Sequence, residues 1–298
     1  MNKWRWLLLI ITCWMAAGLA LSSARQGQER QVPALPSRAD RIVSMAPDLT
    51  EILFALGLDE EIAGVTQYSD YPPAAKEKPK VGSFWQPNIE AVVAAKPSLI
   101  ITLGSPQQKN LAERLKRIGY ETLTVNLETV NDLFKAMAEI AAATGRQYQA
   151  DELIGSIREK LKALSSLVGD EAKVRVLWVV QREPLRVAGR NTFVNELIEL
   201  AGGENAIGPT VHKYPPIGAE QVIISKPEVI IEPDMGQKDP AAQREAAMRY
   251  WSRFKNVPAV TNGRVYVIPG GAVSRLGPRL YEATETIARC LRPRLFEN

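Results

Sequence analysis

The sequence predicts an α/β fold of two Rossmann-like lobes joined by one long helix. Three observations predict it. Short apolar runs alternate with helical periodicities along most of the chain, as strands covered by helices on both faces require. From Val130 to Val168 that alternation gives way to helical signals alone. A segment also recurs: residues 90–101 read EAVVAAKPSLII and residues 220–231 read EQVIISKPEVII.

The elements follow in chain order. Lys3 and Arg5 precede an apolar run from Trp6 to Leu21, and Ser22-Ser23-Ala24 closes it. This is the layout of a secretory signal over residues 1–24. The run is shorter than the ~20 residues of a spanning helix; an uncleaved membrane anchor is the alternative. Cys13 does not fit a lipoprotein site, because Thr12 precedes it and it lies early in the run. Residues 25–38 are polar and Pro-bearing and read as a tether.

Buried strands are expected at Ile42–Met45, Ile62–Thr66, Leu99–Leu103, Thr122–Val125, Val174–Val180, Val229–Ile231 and Val265–Ile268. Leu49, Ile52, Leu53 and Leu56 give a helical stripe, with Asp48 and Glu51 as its capping box and Gly57 as its stop. Thr129 and Asp132 offer a second capping box. Leu153, Ile157, Leu161 and Leu164 then form a stripe that buries one face of a long helix. The boundaries expected are 39–146 for the first lobe, 147–169 for the connecting helix and 170–298 for the second lobe.

The repeat supports two similar lobes. Each copy reads as a helix that stops near its Lys-Pro and feeds a buried strand. A weaker pair precedes each copy in the same order, residues 51–57 (EILFALG) and 196–202 (ELIELAG).

Composition excludes several functions. A net charge of +4 on 298 residues, with no basic stripe among aromatics, does not point to nucleic acid. His212 is the single histidine. There is no HExxH, G-x-S-x-G or P-loop, so no catalytic residue and no enzyme activity are expected. One histidine and one mature cysteine do not make a transition-metal site, and no D-x-D-x-D loop is present, so no metal and no cofactor are expected. Cys290, the cysteine left after signal removal, is expected to be buried and inert.

The remaining candidates are aromatics and arginines. Tyr68, Tyr71, Phe84 and Trp85 fall in loops after strands of the first half, and Tyr214 falls in a Pro-rich loop of the second. Arg182, Arg186, Arg190, Arg275 and Arg279 lie in loops or at element ends. Open α/β sheets bind ligands at the carboxyl ends of their strands. Aromatic faces and bidentate guanidinium groups would there suit a bulky ligand with a flat apolar body and polar or anionic edges. Glu90 and Glu220 stand at one place in the two repeats, in the first turn of a helix. Two readings of them are open: each complements its helix dipole, or the pair docks on arginines of a two-fold partner.

At these residues the chain resembles the periplasmic-binding proteins of cobalamin and iron-siderophore uptake, and among them most the vitamin B12 receptors. The likeness covers about residues 39–296. It runs through RIVSMAPDLTEILFALGL, GVTQYSDYPPAAK, KVGSFWQPNIEAVVAAKPSLIIT, VAGRNTFVNELIELAGGENAI, YPPIGAEQVIISKPEVII and AVTNGRVYVIPGGAVSRLGPRL. The resemblance implies a monomeric, exported receptor that holds its ligand between the lobes. It implies an ABC permease dimer with ATPase subunits as partner, docked through Glu90 and Glu220. It places Tyr68, Phe84 or Trp85, Tyr214 and Arg275 around the ligand. Cobalamin is the first expectation, a ferric siderophore the second and haem, near His212 and Tyr214, the third. One departure bears on this: the B12 receptors carry an acid where this chain has Gly270-Gly271. A membrane-anchored sensor or scaffold of the same fold is the reading from another class.

Overall fold

A computed structural model describes residues 39–169, 171–234 and 240–297. The signal and tether expected over 1–38 lie outside these residues.

The first sheet contains four parallel strands in the order β2-β1-β3-β4: β1 Ile42–Ser44, β2 Ile62–Val65, β3 Leu99–Leu103 and β4 Thr122–Val125. The second repeats that order with β5 Val174–Arg182, β7 Gly203–Asn205, β8 Val229–Asp234 and β9 Val265–Pro269, running β7-β5-β8-β9 in parallel. An added strand, β6 Leu185–Val187, pairs antiparallel with β5. All seven expected strands are present. β6 and β7 were not expected, because each spans three residues and β7 reads Gly-Glu-Asn, with no apolar run to announce it.

Helices pack on both sheets. They include α1 Pro47–Ala55, α2 Ile89–Ala94 and α3 Pro106–Arg117 in the first lobe. Then come α4 Val130–Thr144 and α5 Gln147–Val168. The second lobe carries α6 Phe193–Leu200, α7 Ala219–Ser225, α8 Pro240–Trp251, α9 Pro258–Thr261, α10 Gly270–Val273 and α11 Leu280–Leu291. The capping box at α4 forms as expected, Thr129 and Asp132 each bonding the other's backbone N–H. The box expected at α1 does not: Ala46 is the N-cap, Pro47 opens the helix, and Asp48 lies in its first turn.

The connecting helix is α5. Ile157 and Leu164 of its stripe are buried and Leu153 and Leu161 half-buried. One apolar cluster runs from Ile42 and Leu49 of the first lobe through Ile157 and Leu164 to Val176, Ile231 and Leu291 of the second.

The internal repeat reaches into backbone detail. Ile42 pairs with Leu99 in the first sheet and Val176 with Val229 in the second, and Leu99 and Val229 hold the same place in the repeat. Arg41 is therefore the counterpart of Arg175. Lys96 and Lys226, also at matched positions, both take the left-handed conformation, at φ 47° and 42°. That region is uncommon for a residue with a Cβ. Here it turns the chain between a helix end and the Pro that starts the run into the next strand.

Candidate functional site

Two segments of the first lobe and two loops of the second supply the expected ligand residues. Tyr68 follows β2 and is 62% exposed. Trp85, in the loop between β2 and α2, is 68% exposed and stands edge-on to the half-buried Phe84, with ring centroids 4.8 Å apart. Side-chain amides from α3 hold that loop. Gln108, buried, donates to the Phe84 carbonyl at 3.1 Å, and Gln107 donates to the Trp85 carbonyl. The large, exposed Trp85 ring is thus carried on a fixed backbone.

Arg275 comes from the loop after α10, at the carboxyl end of β9. Its guanidinium bonds the Asp70 carboxylate at 2.5 Å, the Glu51 carboxylate at 3.3 Å and the Tyr68 carbonyl at 3.1 Å. Tyr68 and Arg275, distant in sequence, are therefore brought together across the lobes. Arg279 completes the cluster. It forms a two-pronged pair with Glu51, at 2.9 and 2.6 Å, and lies over the Tyr71 ring. Glu51 is buried.

Tyr214 sits in the loop between β7 and α7 and is 37% exposed. Burial raises its hydroxyl pKa. Among the described residues no hydrogen bond or ring contact joins it to the other aromatics. Its neighbour Lys213 crosses to the first half, with its ammonium 3.0 Å from Glu128. His212, in the same loop, is exposed.

A cavity of about 400 Å³ opens where the first-lobe loop meets the ends of β8 and β9. Asp70, Asp234, Gly270, Gly271, Ser274 and Arg275 line it. Gly270 has no room for a side chain, because a Cβ there would come within 1.9 Å of the Asp234 carbonyl oxygen.

The electrostatics are dominated by pairing. Burial works to raise the Asp70 pKa, but the hydrogen bond and charge of Arg275 carry it below the usual carboxylate range. Asp48, close to the same cluster, is pushed up to about 7, first by burial and then by the Glu51 charge, against the pull of Arg275 and Arg279. Arg182 meets Glu232 at 3.4 Å. Arg190 donates to the carbonyls of Ile207 and Asn205, and Arg186 to that of Tyr214. All five arginines that the sequence offered to a ligand are engaged within the chain.

Glu90 and Glu220 each take the second position of a short helix, α2 and α7, and both are exposed. Both helices are held at their other ends by arginines that the sequence reading missed. Arg41 donates to the Ala95 carbonyl at 3.0 and 2.7 Å, and Arg175 to the Ser225 carbonyl at 3.1 and 2.8 Å. Ala95 and Ser225 are again repeat counterparts. The signal was present in the sequence: each arginine stands at the start of the first strand of its lobe, Arg41 just before Ile42-Val43 and Arg175 second in Val174-Arg175-Val176.

Residues 42–272 match the sequence model of the periplasmic binding protein family. The chain belongs to that family. This periplasmic binding protein is similar to a vitamin B12-binding protein of Vibrio parahaemolyticus, 28% identical over 82% of the chain and 86% of the relative. It is 30% identical to the uncharacterized ABC transporter substrate-binding lipoprotein YvrC of Bacillus subtilis, over 86% of the chain and 81% of the relative. Among solved structures it resembles the periplasmic vitamin B12 binding protein BtuF of Vibrio cholerae, with a TM-score of 0.75, 25% identity, and 87% of this chain and 99% of that one covered. A periplasmic heme binding protein from Pseudomonas aeruginosa gives a TM-score of 0.75 and 25% identity, over 86% and 93%.

The periplasmic binding proteins of this family are extracytoplasmic substrate-binding components of ABC importers rather than a class of enzymes, and they work with a permease and its ATPase. Among the described residues no helix is long and apolar enough to cross a membrane.

Proposed function

We propose that this periplasmic binding protein, exported by a cleaved signal, captures a cobalamin-like ligand between its lobes as a monomer. It then delivers the ligand to a dimeric permease that receives Glu90 and Glu220. The observation that carries the ligand choice is the charge of the cavity. Asp70 and Asp234 line it, while Arg275 is already bound by Asp70 and Glu51. Haem and the catecholate or carboxylate ferric siderophores bring anionic groups that need free cations. A corrin carries neutral amide arms, whose N–H groups suit carboxylate acceptors. Asp234 places a carboxylate in the same cavity as Gly270-Gly271, where the B12 receptors carry an acid.

Tyr68, Phe84, Trp85 and Tyr214 offer ring faces to a flat macrocycle. A cavity of about 400 Å³ takes one edge of such a ligand; the exposed aromatics would cover the remainder.

The test is a fluorescence titration with cyanocobalamin, hemin and a ferric siderophore. Trp178 and Trp251 are buried and Trp85 is exposed, so a Trp85→Phe variant isolates the reporter. Saturable cyanocobalamin binding, weakened about tenfold or more by Tyr68→Ala, is the expected result. Binding of hemin alone, lost in Tyr214→Phe or His212→Ala, would transfer the reading to haem.

A further inference from the structure

The two helices that carry Glu90 and Glu220 match in backbone but not in surface. On α7, Ile223 and Ile224 follow Glu220 at three and four residues, so all three share one side of the helix. The opposite side is anchored by the buried Val222 and Ser225. Ile223 is 50% and Ile224 62% exposed, a large apolar area for so short a helix. On α2 the same offsets from Glu90 give Val93, half-buried, and Ala94, exposed but small. Neither Glu90 nor Glu220 has an ion-pair or hydrogen-bond partner among the described residues. Both arginine clamps hold their helices at the C-terminal end, away from the acids, so the surface difference lies in side chains on similarly fixed scaffolds.

We infer that Ile223, Ile224 and Glu220 form one docking face for a permease subunit that offers an apolar recess beside an arginine. The first lobe, with Val93 and Ala94, makes chiefly the charged half of that contact. This rests on the docking reading of Glu90 and Glu220. Two isoleucines expose far less than the ~1,200 Å² total that a stable self-association buries. They fit instead as one part of a larger contact that the two acids already orient. A two-fold partner offers two like surfaces, so the inference makes the docking unequal: the second lobe holds more tightly than the first.

The test uses the full chain and its ABC importer in lipid nanodiscs, with affinity read by biolayer interferometry and folding by thermal melting. Ile223→Ser/Ile224→Ser should melt like wild type and lose about tenfold or more in importer affinity. Val93→Ser/Ala94→Ser should lose less than about threefold by the same area argument. Equal losses in the two variants, or no loss in the isoleucine variant, would overturn the inference. So would a wild-type dimer in ultracentrifugation that the isoleucine variant abolishes without change in importer affinity. Glu90→Ala/Glu220→Ala run in parallel separates the two claims. If that variant fails to bind while the isoleucine variant binds normally, the docking reading stands and the apolar contact falls. If neither variant weakens binding, the docking reading itself falls.

Discussion

Asp48 offers the sharpest test of how the interlobe cluster is balanced. Its carboxyl titrates from 3.8 in an ordinary setting to about 7 here, because burial and Glu51 outweigh Arg275 and Arg279. A raised acid pKa adds stability that is complete below the unfolded value and disappears as pH rises through the folded one. From pH 5 to pH 7 the folded carboxyl keeps a proton that the unfolded chain has given up. Each pH unit costs about 1.4 kcal/mol, so the window holds roughly 3 kcal/mol at most. The residue keeps some solvent contact, which brings the expected loss to about 1–2 kcal/mol. Asp48→Asn cannot titrate. Urea unfolding at pH 5 and pH 8 should therefore show the variant gaining about 1–2 kcal/mol on wild type between the two. Parallel stability profiles for the two proteins would refute the balance of burial, Glu51 and arginines given above.

Three further outcomes follow from other parts of the structure. Glu51→Ala leaves Arg279 and Arg275 without their buried partner, and should cost on the order of 3 kcal/mol in denaturant unfolding. Arg41→Gln and Arg175→Gln remove the two-bonded clamps on α2 and α7; amide exchange should quicken at residues 89–96 for the first, and at 219–226 and around Glu204–Ala206 for the second, which also loses contacts there. The Cys290 thiol, pushed up to about 11 by burial, should react with a disulfide reagent at pH 8 only as the chain unfolds.

Much of this architecture is legible in the sequence, and for definite reasons. The strands that face helices on both sides must be apolar throughout, so β1, β3, β5 and β8 stand out. The repeat at residues 90 and 220 is visible because the same turn, a left-handed Lys before Pro, constrains both copies. What escaped the reading has equally definite causes. β7 is polar and gains its place by pairing with β5 alone. Arg275 has the loop position of a ligand contact, but nothing near it in sequence announces Glu51 and Asp70, more than two hundred residues away. Asp48 looked like a helix cap because acids often are; Ala46 and Pro47 took that end of the helix instead, and Asp48 ended up half-buried near Glu51.

The apolar cluster that passes from Ile42 through Ile157 to Leu291 has a consequence for how the molecule melts. Neither half owns a complete interior: cut at α5, each would present to water the side chains that the helix now covers. The protein should therefore unfold in one calorimetric transition, with the heat absorbed matching the steepness of the curve. Two halves expressed separately should be recovered together or not at all.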